Sequence, residues 1–284
     1  MSGADPRQLP FLIKLLDDDS EVVRESVLDA LSAFGTRLES ELQRQHISAG
    51  TGMLDGIRER LEEHNRSWLR KEWASWFTVE DDFVRLEAAL SLLADFMNGR
   101  TYPSKVGPLL DQLVADFRAS YAEADARLLC NYLFKTRGLA GAKNDFNNPM
   151  NSNLVYVIEE RRGIPISLAC IFMLAGRRLG LDIRGINLPG HFLARAYVGK
   201  EAFLVDCFHG GRFLGETDLA ALRPAAQLHV SDLLQMECDS ETIIARTLRN
   251  LHHAYRDASN AANAAFMTDL LQMMNVEEDD SPAQ

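Results

Sequence analysis

The feature that most constrains this chain is an apolar run at residues 164–176, IPISLACIFMLAG, closed by Arg177-Arg178. A helix needs about 20 apolar residues to cross a bilayer, so this run is too short to do so. It reads instead as a helix buried inside a protein. The first residues, MSGADPRQLP, lack the basic start and apolar run of a secretory signal. The expectation is a cytoplasmic chain with no membrane contact.

The rest of the chain is set around that helix. Residues 151–161 precede it with helical spacing, and β-prone runs follow it at 183–188, 192–198 and 202–205. Pro189-Gly190 and Gly199-Lys200 separate these runs, and Gly210-Gly211 marks a further turn before a return strand at 212–214. Short runs bounded by Gly and Pro predict hairpins. Residues 138–153, rich in Gly and Asn, read as a loop. The tail is helical over 241–274 and ends in the acidic EEDDSPAQ. The predicted class is α+β: a helix on a small antiparallel sheet between mostly helical flanks. Three regions follow: a helical one over 1–137, the core over 138–228 and a helical one over 229–276.

The helical first region has its own pattern. Phe11, Leu12, Leu15 and Leu16 share one face, DDDS at 17–20 breaks the helix, and Ser20 is placed to cap the next. Val23, Val27, Leu28, Leu31 and Phe34 then form a second stripe, stopped by Gly35. Trp68, Trp73 and Trp76 lie close together in a charged helical stretch over 52–78. Such spacing suits core packing better than a ligand cage. Residues 80–98 and 105–136 read as further amphipathic helices.

Charge and cysteine content exclude several functions. With 30 basic against 41 acidic residues the net charge is −11, which disfavours nucleic acid as a partner because phosphate binding needs a positive field. The four cysteines, Cys130, Cys170, Cys207 and Cys238, form no C-x-x-C pair. They suit free thiols in a reducing compartment. No dinucleotide fingerprint, P-loop or metal signature is present, so no cofactor and no metal are expected. His252-His253 lies in a charged helical setting, a solvated face with only the weak pair His253 and Asp257 at ligand spacing.

His191 stands apart. It opens the stretch HFLARAYV after Pro189-Gly190. Alternation puts His191, Leu193 and Arg195 on one side, a partly polar face suited to lining a cleft. Asp206 ends the next run, AFLVD, and a hairpin around Gly199 would bring it beside His191. A carboxylate on one imidazole nitrogen fixes the tautomer and leaves the other nitrogen to act on a nucleophile. A buried, satisfied polar pair is the alternative reading.

Together these residues carry a resemblance. NNPMNSNLVYVIEERRGIPISLACIFMLAGRRLGL, INLPGHFLARAY and FLVDCFHGG resemble the SirB-type branch of the transglutaminase-like superfamily, over about residues 145–215. The C-terminal IIARTLRNLHHAY resembles TPR-like helices, and residues 7–35 resemble one HEAT repeat, with Asp18 and Arg24 at motif positions. The resemblance implies a papain-like core and a Cys–His–Asp triad. His191 falls on the family His and Asp206 on the family Asp. Gly163, Ala169, Arg177 and Gly180 fit the register of the nucleophile helix, which puts Pro165 where the Cys belongs. Cys207 departs from the SirB pattern, which has Pro there.

Proline suits a first helical turn but cannot attack a carbonyl. Three side chains are candidate substitutes: Ser167 near the helix start, Cys170 within the apolar run, and Cys207 beside Asp206. The resemblance therefore implies one of two functions. One is a degenerate core that binds a peptide or protein partner in a cleft shaped by Asn151, Arg195, His191 and Asp206. The other is a hydrolase or acyl transferase with an unconventional Ser or Cys nucleophile. A scaffold whose cleft is only a remnant is a variant of the first.

Overall fold

The structure is a computed structural model that describes residues 4–45, 51–215, 217–218 and 229–274. The chain divides into two compact units. The described residues of Met1–Ser75 and Ser91–Lys105 form one, and those of Trp76–Leu90 and Val106–Gln284 form the other.

The first unit contains α1 (Leu9–Leu15), α2 (Glu21–Ser32), α3 (Leu38–Arg44) and α4 (Thr51–Glu72). Leu9, Leu16, Val27, Leu31, Phe34, Leu42 and Ile57 are buried together as its core, with Val23 and Leu28 packed against it, so the second apolar stripe faces inward. The first does so only in part: Leu16 is buried and Leu12 partly buried, but Phe11 and Leu15 are exposed. Ser20 occupies the N-cap of α2, but its hydroxyl makes no capping bond. The turn is held by its neighbours instead. Asp18 accepts the Ser20 N–H at 2.9 Å, and the Arg24 guanidinium donates to the Asp18 carbonyl at 2.6 Å. Trp73 is fully buried, whereas Trp68 is half-buried with the Arg100 guanidinium 5.8 Å from its ring centroid.

The chain passes between the units three times, once within α5 (Asp82–Asn98). The second unit continues with α6 (Val106–Ser120) and α7 (Ala126–Asn131). The single helix predicted over 105–136 is broken because Asp125 caps a new one, accepting the Leu128 N–H at 2.7 Å. The predicted loop at 138–153 is mostly irregular but contains β1 (Ala140–Gly141) and a 3-10 turn at Pro149–Ser152. β1 pairs in parallel with β2 (Arg162–Gly163), which follows α8 (Leu154–Glu160).

The apolar run forms α9 (Pro165–Arg178), in which every residue of 166–176 is buried. It packs against α6, α7, α8 and the main sheet, which shield residues 166–176 from water, while Arg177 at its end is exposed. That sheet is antiparallel, in the order β3 (Ile183–Leu188), β4 (His191–Val198), β5 (Glu201–Asp206), β6 (Arg212–Leu214). Gly176 lets α9 approach β3 closely, since a Cβ there would lie 2.5 Å from Ile183 Cδ1.

The predicted C-terminal helical stretch is two helices, α10 (Ser240–Asp257) and α11 (Ala261–Met273), packed on each other. Asn260 starts the second by accepting the Asn263 N–H at 3.0 Å. His252 is not on a solvated face: it is partly buried, with Nδ1 3.0 Å from the Ala264 carbonyl. The acidic end at 277–284 lies outside the described residues. Among the described residues no helix is long and apolar enough to cross a membrane.

The turn after β5 depends on Gly211, which has φ +70° and faces Cys130 and the Phe134 ring so closely that a Cβ would overlap both. Gly211→Ala combines left-handed backbone strain with overpacking and should cost about 2–5 kcal/mol. The midpoint of a urea titration, compared with wild type, measures it.

Candidate functional site

The β4–β5 hairpin builds the site. Arg195 pairs with Leu204 across it, so Asp206, two residues beyond Leu204, shares a sheet face with His191, Leu193 and Arg195. His191 begins β4 directly opposite Leu188. The result is a close pair, with His191 Nε2 3.1 Å from Asp206 Oδ2. The turn that follows supplies a second imidazole. His209 Nδ1 lies 2.7 Å from the same Oδ2, and the His209 backbone N–H donates to Oδ1 at 3.1 Å.

Asp206 is 2% exposed. Burial by itself pushes its carboxyl up, but hydrogen bonds from His191 and His209 outweigh that and hold it down at about 2. It is therefore a carboxylate across the ordinary pH range. The side chains of His191 and His209 are 17% and 46% exposed. One ligand atom from each of His191, Asp206 and His209 falls within 4.8 Å of the others, the one such set of three among the described residues able to hold a metal ion.

Arg246 of α10 braces the hairpin. Its guanidinium donates to the carbonyls of Leu188 at 2.6 Å and His191 at 3.2 Å, bonds the Asn187 side chain and lies 5.6 Å from the Phe192 ring centroid. Partial burial pushes its pKa down.

The other predicted residues fall elsewhere. Pro165 is the first residue of α9, with Ile164 at the N-cap. Ser167 is buried at the third position. Its Oγ accepts the Ile164 N–H at 3.1 Å, and its one proton is shared between the carbonyls of Asn151 at 2.7 Å and Ile164 at 3.0 Å. The hydroxyl thus closes the helix start. Cys170 and Cys207 are fully buried, and burial pushes both thiols well up. Cys130 and Cys238 are likewise pushed up to about 12 by burial. A thiol in that state is a poor nucleophile.

Asn151 is buried, and its amide donates to the carbonyls of Phe146, at 3.3 Å, and Asp145. It lines a cleft of about 660 Å³ with Lys143, Asp145, Tyr156, Arg162 and His209. Arg195 does not line this cleft. It is buried, donating to the Leu234 carbonyl at 3.0 Å and to Glu237 at 2.7 Å. The face predicted to be open is covered there, because Leu193, Leu204 and Leu214 pack with Leu233.

Two residues of the site escaped the sequence reading. His209 lies three residues after Asp206, a turn spacing that alternation along a strand does not register. Arg246 comes from a helix 55 residues beyond His191, and nothing local to it signals the contact.

The Asp206 carboxyl makes a pH-dependent contribution. Its folded value lies below the ordinary 3.8. The stabilisation is therefore present above about pH 4 and lost as pH falls towards 2, a change of about 2 kcal/mol. Asp206→Asn should be less stable at pH 7, and its loss of stability between pH 4 and 2 should be smaller than that of wild type by about that amount. Denaturant titrations at a series of pH values measure both.

Comparison with known proteins agrees with this architecture. The family described as Transglutaminase-like superfamily matches residues 104–249, and the HEAT repeat family matches residues 9–38. A UPF0162 protein of Xylella fastidiosa is 33% identical over 213 residues, covering 69% of this chain and 74% of that protein. A UPF0162 protein of Pseudomonas aeruginosa is 31% identical over 178 residues, 59% of this chain and 64% of its own length. The F-box only protein 21 of Homo sapiens is 34% identical over 79 residues, which are 28% of this chain and 13% of that protein. No solved structure matches the chain significantly. With its match running from α6 through the whole sheet and into α10, the chain belongs to the transglutaminase-like superfamily and to the UPF0162 family.

Proposed function

We propose that this chain uses a transglutaminase-like core without a nucleophile to bind a peptide or protein segment. The observation that carries the reading is the contrast within one site. The His191–Asp206 pair is intact, whereas Ser167, Cys170 and Cys207 are buried, the first occupied by backbone partners and the other two as thiols with raised pKa. In this reading the chain is of the SirB-type branch, Pro165 occupies the nucleophile position, and the HEAT-like hairpin and TPR-like C-terminal helices are partner surfaces. The protein works in the cytoplasm. The cleft beside His209 has the size of a ligand pocket and mixes Lys143 and Arg162 with Asp145 and Tyr156. That lining suits a polar peptide with charges of both signs.

Two measurements on the purified chain test this. Ester and amide substrates, with and without an amine acceptor, should show no turnover above that of His191→Ala. An immobilised random peptide array should be bound by wild type and more weakly by His191→Ala. Turnover lost in His191→Ala, or saturable labelling of Ser167, Cys170 or Cys207 by an electrophilic probe that depends on His191, would reject the binding role in favour of catalysis. Peptide binding untouched by His191→Ala would move the partner surface away from this site.

A further inference from the structure

We propose that His191 Nε2, Asp206 Oδ2 and His209 Nδ1 form a binding site for a single divalent transition-metal ion of the zinc class. The site goes beyond the proposed peptide-binding role and does not depend on it.

The arrangement itself carries the inference. A single buried carboxylate in a Cys–His–Asp relay needs one imidazole. Asp206 has two, both aimed at the same oxygen, at 3.1 Å from His191 and 2.7 Å from His209. Two imidazoles and a carboxylate are a donor set that zinc and its neighbours accept, with metal–donor distances of about 2.0–2.2 Å. An ion bound to three such donors separates them by roughly 3–4 Å. One ligand atom from each of the three residues already lies within 4.8 Å of the other two, so modest side-chain adjustments suffice.

The donors are held before any ion arrives. His191 is fixed by the β3–β4 register and by Arg246 on its carbonyl. Asp206 ends β5, paired with Arg212 of β6. The backbone N–H of His209 is tied to Asp206 Oδ1 at 3.1 Å, which leaves Oδ2 for the ion. Pre-positioned donors lower the ordering cost of binding.

Proton balance is simple. In the metal-free site each ring gives a proton to Oδ2, so His191 carries one on Nε2 and His209 one on Nδ1. To bind the ion, a neutral ring moves that proton to its other nitrogen, and a doubly protonated ring releases one to solvent. Binding is therefore weaker in acid. Three protein donors leave at least one coordination position to water or ligand. His209 also lines the 660 Å³ cleft.

The test uses the full chain with zinc alone, by titration calorimetry, and with cobalt as a spectroscopic probe. Wild type should bind one equivalent of zinc, and bound cobalt should give visible absorption bands. His209→Ala should weaken zinc at least about tenfold and abolish the cobalt bands. That variant is the safest, because the side chain is 46% exposed. His191→Gln should do the same, and His229→Gln, at an exposed position, should bind as wild type. Absence of saturable zinc binding to wild type, or binding unchanged in both His209→Ala and His191→Gln, would overturn the site. Neither readout involves peptide, so failure here leaves the binding role standing, and loss of peptide binding leaves the metal site standing.

Discussion

A carboxylate sealed from water must either find compensating partners or give up its charge. Asp206 is in that position at 2% exposure, and its partners organise the whole neighbourhood. Two imidazoles and a backbone N–H satisfy it. To deliver them, β5 must end where it does, the turn must fold back within three residues, and β4 must begin with His191 facing the same way. The glycines at 210 and 211, both at positive φ, allow that turn. Arg246 then locks the hairpin from α10 by holding carbonyls on either side of its tip. Removing the carboxylate therefore removes more than one hydrogen bond. It leaves two rings and a turn without the group that orders them.

The second organising element is α9, and its start is where chemistry would be expected. The first N–H groups of a helix are unpaired and favour negative charge. Here Pro165 supplies no N–H at the first position, and the Ser167 hydroxyl is taken up by the carbonyls of Asn151 and Ile164. The helix start is thereby tied to the irregular segment that lines the cleft, with β1 and β2 adding two parallel backbone pairings. In the proposed binding role this helix start serves structural closure rather than the activation of a thiol. In that role an imidazole–carboxylate pair with no thiol beside it is open to other ligands, whereas the proposed metal site stands on the placement of His191 and His209 around Asp206 alone.

Much of this was legible along the chain because it is local. Alternation in HFLARAYV and AFLVD, with Gly and Pro between, located each strand of the sheet to within a residue and set His191 and Asp206 on neighbouring strands. An all-apolar run bounded by arginines identified the central helix. The errors about which faces are open have a common cause. Alternation says which face a residue is on, not what covers that face. Arg195 was assigned to an open cleft, but Leu233 and Glu237, some 40 residues later, close over it. Arg246 acts at the same kind of range. The missed helix breaks are different, since Asp125 and Asn260 are capping residues whose signal was present but outweighed by continuous helical periodicity. His209 was visible as part of FHGG, yet a strand-based reading gave a turn residue no role.

The proposed binding role requires Pro165 to stand where a nucleophile would meet the His191 imidazole. Pro165→Cys tests it most directly, by the rate of iodoacetamide alkylation at that position as a function of pH, with and without His191→Ala. If the register is right, the introduced thiol sits at the start of α9 beside an oriented imidazole and titrates well below the free-thiol value of about 8.5, returning towards it when His191 is removed. An introduced thiol that titrates like a free one, or that ignores the loss of His191, would contradict the account.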